Sequence, residues 1–363
     1  MRRLVLLVLI ALAALAAAPA ARAAGTRSPI PMFAYYYIWF NPSSWDRAKR
    51  DYPLLGRYSS DEERVMRTHI RWAKSAGING FLVSWKDTPV LDQRLAKLMA
   101  VANSEHFKLG IVYQGLDFFR RPRRARDIAA DLDFFIRRFS RDPSLRIYAK
   151  PLIIWSGTWE FSPREVASVT RGRRSRLLIL ASERNAGEYR RLSGLVDGDA
   201  YYWSSVNPRT FPDYAGKLDE LSGAVHAHHG LWIAPAAPGF DARLIGGHKI
   251  VPRRRGATLR TELDTASRSN PDALGLISWN EFSENSHVEP SKRFGRNALQ
   301  VLADVRGAKA PAAPADSSDP AATPPTPSAS SGGVPLAAGL VGLVAIALAM
   351  VAWRSRRRLE RQP

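Results

Sequence analysis

Ala273-Leu-Gly-Leu-Ile-Ser-Trp-Asn-Glu-Phe-Ser-Glu-Asn-Ser-His-Val-Glu-Pro290 opens as a short apolar run and then breaks abruptly into polar residues carrying Glu281, Glu284, His287 and Glu289. The run has the composition of a strand buried on both faces. Two carboxylates therefore stand just past a strand's end. If the strand belongs to a parallel α/β barrel or a doubly wound sheet, its C-terminal end is where such folds place their active sites. Glycoside hydrolysis commonly uses a pair of Asp or Glu groups, one protonated to assist the leaving oxygen and one ionised on the other side of the anomeric centre. Glu281 and Glu284 are such a pair; by spacing alone they read equally well as solvated loop acids.

Working outward, residues 30–307 alternate apolar runs of strand length with longer amphipathic segments, the pattern of βα units around a parallel sheet. Strands are expected at 32–39, 81–85, 109–113, 152–155, 177–180, 200–203, 231–234 and 274–278. Helices are expected between them, one capped by Ser60-Asp-Glu-Glu63, one through Leu91, Leu95, Leu98 and Val101, one opened by Ser162-Pro163-Arg-Glu165, and one each over 127–139, 186–195, 214–228, 257–267 and 298–305. Eight units predict an α/β fold of the (β/α)8 TIM-barrel type. A doubly wound open sheet is the alternative; it would normally carry a Gly-rich fingerprint after its first strand, and Ile38-Trp-Phe-Asn-Pro-Ser-Ser44 has none.

The barrel reading gathers the residues after each strand onto one rim. Tyr35, Tyr36, Tyr37 and Trp39 follow the first strand, Trp85 and Asp87 the second, Gln114 and Asp117 the third, Trp155 and Trp159 the fourth. Glu183 follows the fifth, Tyr202 and Trp203 the sixth, Phe240 and Asp241 the seventh, and Trp279, Asn280, Glu281 and Glu284 the eighth. Sugar rings offer apolar C–H faces to aromatic planes and hydroxyl edges to carboxylates and amides, so a rim of this composition suits a carbohydrate cleft.

The chain ends differ in character from this middle. Arg2-Arg3, an apolar run and Ala21-Arg22-Ala23 form the three parts of a secretory signal peptide over residues 1–23. Residues 308–333 are almost entirely Ala, Pro, Ser, Thr and Gly and read as a linker. Residues 334–353 carry no charge over roughly the length that crosses a bilayer, and the basic tail 354–363 follows. The positive-inside rule puts that tail in the cytoplasm. The expected arrangement is a single-pass membrane protein with its barrel on the extracytoplasmic side.

The formal charge of the 363 residues is +20, of which about +14 belongs to the barrel segment once the tails are set aside. An exported, anchored chain with dispersed basic residues is a poor nucleic-acid binder. Attraction to an anionic envelope polymer or membrane surface, and a basic face that is merely solvated, both remain open. Cysteine is absent, which removes disulfides, thiolate metal sites and a cysteine nucleophile. No P-loop, nucleophile elbow or H-E-x-x-H occurs. His226, His228 and His229 read as an exposed helix terminus rather than a metal site, and His69 as structural. No cofactor or metal is expected.

Several stretches resemble glycoside hydrolase family 99, the endo-α-mannosidase and endo-α-mannanase group. They are Tyr35-Tyr-Tyr-Ile-Trp-Phe-Asn-Pro42, Tyr52-Pro-Leu-Leu-Gly-Arg-Tyr-Ser-Ser60, His69 with Ala76-Gly-Ile-Asn-Gly-Phe-Leu-Val-Ser-Trp85, and Ala234-Pro-Ala-Ala-Pro-Gly-Phe-Asp241. Ser278-Trp-Asn-Glu-Phe-Ser-Glu-Asn-Ser-His-Val-Glu-Pro290 is similar to the family's N-E-W-x-E-G-T-x-I-E-P signature. The resemblance implies a metal-free (β/α)8 barrel with Glu281 and Glu284 catalytic; from the rim and the polar stretch after the eighth strand, Tyr36, Trp39, Trp85, Gln114, Tyr202, Trp203, Asn280, His287 and Glu289 are the substrate-binding candidates. It further implies a retaining mechanism in which Glu281 takes the proton of the substrate's own 2-hydroxyl, giving a 1,2-anhydro sugar, while Glu284 protonates the leaving oxygen and then activates water. That scheme asks for Glu281 ionised and Glu284 with a raised pKa; a covalent nucleophile is the conventional alternative. Phe282 replaces the signature's Trp, Asn285-Ser286 its Gly-Thr, and Tyr113-Gln-Gly115 stands where characterised members carry Glu-Pro-Tyr. A non-catalytic glycan-binding ectodomain and a polysaccharide-assembly protein on the same fold are the rival functions.

Overall fold

The computed structural model describes residues 29–117 and 120–308. The leader expected over 1–23, and the linker from 309 on with the span and tail beyond it, lie outside the described residues. Among the described residues no helix is long and apolar enough to cross a membrane.

Eight parallel strands form one sheet: Met32–Tyr37, Gly80–Trp85, Lys108–Gln114, Leu152–Ser156, Leu178–Leu180, Gly198–Ala200, Leu231–Ala236 and Ala273–Leu276. The first strand pairs with the second and with the eighth, and the order runs 5-4-3-2-1-8-7-6. The two ends of that order meet. Ala181 bridges Asp199 in parallel, with Ala181 N donating to Gly198 O and Ala200 N to Ala181 O, both at 2.9 Å. A sheet closed in this way has no free edge, which is the condition for a (β/α)8 barrel. A helix follows each strand, from Glu63–Ser75 after the first to Asn297–Arg306 after the eighth.

Strand period 2 divides the side chains into two layers. Phe33, Tyr35, Leu82, Val112, Leu152, Ile154, Leu180, Ala200 and Ile233 fill the barrel interior. Their alternates, among them Tyr36, Phe81, Val83, Trp85, Ile111, Tyr113 and Trp155, pack outward against the helices. Because both layers are apolar, each strand reads as a continuous hydrophobic run. Gly275 gives the interior room for an aromatic ring: a Cβ there would lie 3.0 Å from Tyr35 Cε2 and 3.1 Å from Ile233 Cγ2. At Gly198 a Cβ would collide with the carbonyl of Leu231, so the sixth strand reaches the seventh only as glycine.

The first strand ends at Tyr37 and the eighth at Leu276, each two residues before the expected end, and three further features depart from the sequence expectation. The sixth strand was expected at 200–203 from its aromatic run, but the ladder ends at Ala200 and Tyr201 onward leave for the rim. The helix expected over 186–195 is Ala186–Arg190 only; beyond it Leu192 N and Leu195 N bond three residues back, to Tyr189 O and Leu192 O, and Arg191 turns aside to donate to Phe161 O at 2.6 Å. Ser60 does not cap the first helix, because its hydroxyl accepts from Phe40 N at 3.1 Å; the helix begins at Glu63 after an uncapped Glu62. Ser162 does form its capping box with Glu165.

Glu262, in the helix Ala257–Arg268, is buried between elements with Tyr214 Oη donating at 3.4 Å. Burial pushes its carboxyl up to about 8, and the weak Tyr214 bond only partly opposes this. The folded state therefore binds this proton more tightly than the unfolded chain. Its stabilising contribution is full below the ordinary carboxyl pKa and is lost as pH rises through about 8. Glu262→Gln is expected to match wild type near pH 4.5 and to exceed it by on the order of 2–4 kcal/mol above pH 8. Chemical denaturation of both proteins across this range checks it; parallel stability curves would show that the group does not titrate as described.

Candidate active site

The loop that follows the eighth strand crosses the C-terminal mouth of the barrel and is tied down at nearly every residue. Trp279 N donates to Tyr35 O at 2.7 Å, and the Asn280 amide clamps strand one by accepting from Tyr37 N at 2.9 Å and donating to Tyr37 O at 3.0 Å. Ser278 N donates to Ser286 O and Val288 N to Ser278 O, both at 2.9 Å, closing the loop on itself. The Ile277–Ser278 peptide is cis. Asn285 takes φ 52°, the left-handed conformation that Asn tolerates better than most residues, at the position where the family signature has Gly. Phe282 is fully buried, stacked on His287 at 4.0 Å and edge-on to Trp45 at 5.5 Å.

This frame holds Glu281 and Glu284 in one electrostatic site. Glu281 is buried, its Oε1 accepting from Ser283 N at 2.9 Å. Burial and then the neighbouring Glu284 carboxyl lift it well above the ordinary carboxyl range, with Lys49 among the groups that oppose. Glu284 is half-buried; burial lifts it too, opposed by the Arg120 guanidinium and the Ser204 hydroxyl. The Glu284 carboxyl is raised, as the expected acid role asks, and Glu281, expected ionised, is raised as well. Both carboxyls are raised, because burial disfavours the charged form of each. Two like charges so close favour one shared proton.

Aromatic rings wall the pair. Tyr202 stacks on Tyr35 at 4.5 Å, its hydroxyl bonds that of Tyr37, and both hydroxyls lie in the field of the two glutamates. Trp39, 43% exposed, stacks on Tyr37 at 4.3 Å and presents a free face at the mouth. Trp203 is half-buried against Trp159 at 5.7 Å, and Gln114 donates to Ser84 Oγ at 2.9 Å on the inner face.

Five of the other expected contacts do not reach this space. Tyr36 and Trp85 point outward: Tyr36 Oη bonds His69 Nδ1 at 3.0 Å and Trp85 Nε1 donates to Asp92 at 2.8 Å. Their neighbours Tyr35, Tyr37 and Ser84 hold the inner positions, since a one-residue step reverses the face. His287 lies beneath the loop with Nε2 3.1 Å from Asp51 Oδ2, and Arg253 donates to its carbonyl at 2.7 Å; burial pulls the imidazole down to about 4, so it is neutral. Glu289 accepts from Tyr58 Oη at 2.8 Å and lies 3.1 Å from His69 Nε2. Asn280 is spent on the strand-one clamp. Glu183 is likewise buried, 3.5 Å from Arg191, and Asp241 is paired with Arg50 and Arg243. Lys49, Arg120 and Ser204 are site residues that the sequence reading missed; they stand in loops, where no periodicity marks them. His226 lies 3.1 Å from Asp272 at a helix end, and no group of three or more His, Asp or Glu among the described residues could hold a metal ion.

A family model for glycosyl hydrolase family 99 matches residues 39–304. The chain belongs to this family. It is accordingly a glycoside hydrolase acting on glycans, and the buried glutamate pair over the barrel mouth is this family 99 protein's candidate active site. Among solved structures, the endo-α-mannosidase of Bacteroides thetaiotaomicron is similar at 18% identity and TM-score 0.67, covering 77% of this chain and 97% of that one. The same protein in complex with bis-tris propane aligns at 19% identity and TM-score 0.66 over the same shares. A glycoside hydrolase-like protein aligns at 16% identity and TM-score 0.55, covering 77% and 96%. These likenesses show the shared fold. No curated protein matches the chain.

Proposed function

We propose that the protein is a membrane-tethered, extracytoplasmic glycoside hydrolase that cuts α-linked, mannose-containing glycans with retention of configuration, through Glu281 and Glu284. The observation that carries this reading is the pair of carboxyls sharing one partly desolvated site beneath tyrosine and tryptophan walls. The similarity to endo-α-mannosidase structures supports the mannose assignment, and the signal-like and apolar terminal segments support the tether.

In the proposed chemistry Glu281, ionised when substrate is bound, removes the proton of the 2-hydroxyl. The freed oxygen attacks the anomeric carbon while Glu284 gives its proton to the departing glycosidic oxygen. The C–O bond to the leaving sugar breaks as the three-membered ring forms. Glu284, now ionised, takes a proton from water, whose oxygen opens that ring at the anomeric carbon, and Glu281 returns its proton to the 2-oxygen. Atoms and charges balance, and each carboxyl ends as it began. Tyr202, Trp39 and Trp203 offer faces for sugar rings.

The test is incubation of the purified protein with α-mannans and α-glucans, reading the first-formed anomer by proton NMR. Release of α-configured oligosaccharides from mannan supports the proposal. A β-configured first product would refute retention, release from glucan alone would refute the mannose assignment, and binding without products would favour a non-catalytic glycan receptor.

A further inference from the structure

The two glutamates stand on one loop, but they are held from different sides. Glu281 is fixed from within the loop and from strand one. Its N–H donates to Ser278 Oγ at 2.8 Å and its carbonyl accepts from Ser286 N at 3.2 Å, while its neighbours Trp279 and Asn280 are bonded to Tyr35 and Tyr37. Glu284 lies beyond these bonds, in the turn where Asn285 takes its left-handed φ of 52°. Among the described residues, the carbonyls of Glu284, Asn285 and His287 accept from outside the loop. Asp241 N donates to Glu284 O at 2.8 Å, and Arg253 Nη2 donates to Asn285 O at 2.8 Å and to His287 O at 2.7 Å.

Both donors belong to one small module at the barrel mouth. Phe240–Asp241 and Ile250–Val251 form an antiparallel ladder in the connection between the seventh strand and the helix Ala257–Arg268. Phe240, Ala242, Ile245 and Val251 pack there as a core of their own. Arg253 follows directly. Its stem passes Gly239, where a Cβ would lie 2.8 Å from Arg253 Cγ, so the glycine leaves the arginine its path. Its guanidinium carbon lies 4.2 Å from the centre of the Phe294 ring, its Nε is buried without a partner, and its own carbonyl accepts from Gly256 N at 2.9 Å. A planar group with one face on a ring and both hydrogens of one nitrogen spent on two carbonyls has little freedom to turn. His287, whose carbonyl it holds, is itself 3.1 Å from Asp51 through Nε2. The guanidinium therefore joins an anchored part of the loop to the turn that carries Glu284.

We infer that Arg253 is the positioning residue for Glu284: by bridging the carbonyls of Asn285 and His287 it sets the turn from which the Glu284 carboxyl reaches the departing oxygen. The inference rests on the acid role proposed above for Glu284. A general acid must stand within hydrogen-bond reach of the oxygen it protonates, and a misplacement of about 1 Å can cost on the order of 10²-fold in rate. Without the bridge two carbonyls of buried residues lose their donor and the turn reorients to find others. The Glu284 carboxyl, one residue away, moves with it. Glu281 keeps its own bonds to Ser278 and Ser286, so the effect falls on one member of the pair.

The experiment measures kcat and KM on an α-mannan oligosaccharide and on an aryl α-mannoside, whose leaving group needs no acid. The proteins are wild type, Arg253→Met, Arg253→Lys, Glu284→Gln and the double variant Arg253→Met/Glu284→Gln, with melting temperatures for each. Arg253→Met keeps an apolar stem but has no donor. It should lose on the order of 10²-fold in kcat on the oligosaccharide and far less on the aryl mannoside, whose turnover also shows that the variant is folded. Arg253→Lys, which can reach one carbonyl, should recover part of the loss. In the double variant the Arg253 substitution should add nothing to the Glu284→Gln loss on the oligosaccharide, because both act on one proton transfer. Additive losses overturn the assignment, as do equal losses on the two substrates, no loss on either, or a rise in KM alone. If Arg253→Met does not fold, Arg253→Lys carries the same test: a loss confined to the oligosaccharide supports the assignment and any other pattern overturns it. Glu284→Gln separates the two levels. If its own loss is equal on both substrates, the acid reading fails and the inference with it; if its loss depends on the leaving group while that of Arg253→Met does not, only the role of Arg253 is lost.

Discussion

Glu284→Gln is expected to lower kcat on mannan by about 10²–10⁴-fold, the usual contribution of a positioned general acid. The amide keeps the shape and the hydrogen-bond reach of the side chain but has no proton to give the departing oxygen. The loss should therefore depend on the leaving group. An aryl α-mannoside whose phenolate departs without protonation should lose much less than mannan does, and the ratio of the two losses identifies the acid role. Stability should not suffer. Burial lifts the wild-type carboxyl, so the site favours its neutral form and an uncharged amide fits at least as well at neutral pH. Assays of wild type and variant on both substrates, with thermal melts, check the result. Equal losses on the two substrates would move the acid role away from Glu284.

Glu281→Gln should behave differently although the two carboxyls are three positions apart on one loop. Here the missing function is removal of the 2-hydroxyl proton, which every substrate needs whatever its leaving group. A comparable loss on mannan and on the aryl mannoside is expected, again on the order of 10²–10⁴-fold. A substrate lacking the 2-hydroxyl should not be turned over by wild type at all. Turnover of a 2-deoxy substrate at a rate near that of the parent sugar would exclude the anhydro-sugar route and restore the covalent alternative. The variant should fold as wild type does or better, because burial disfavours the charged form of Glu281.

The same comparison shows where the sequence was sufficient. Repeating apolar runs of strand length, each followed by an amphipathic segment, specified eight βα units, because strands buried on both faces must be apolar at every position. The polar break at Trp279-Asn-Glu281 placed two carboxyls at the end of the eighth strand for the same reason: apolar patterning stops where the ladder stops. What failed was direction. Tyr35, Tyr36 and Tyr37 are chemically alike, and nothing in their order says that the middle ring leaves the barrel to meet His69. A run buried on both faces carries no alternation from which the inner face can be read. His287 and Glu289 failed for another reason. Their polar side chains suggested sugar contacts, but the loop needed them underneath, against Asp51, Tyr58 and His69, to satisfy groups that burial had cut off from water.

The sequence by itself determined the barrel's units, the family resemblance and the position of the two glutamates along the chain, since each of these follows from local composition and order. Only the tertiary structure decided which rings face the barrel mouth, that both carboxyls are raised, and that Lys49, 232 positions earlier in the chain, lies in the field of Glu281. Desolvation and Coulomb energies depend on distances between side chains that closure of the barrel brings together, and no stretch of sequence read alone contains those distances.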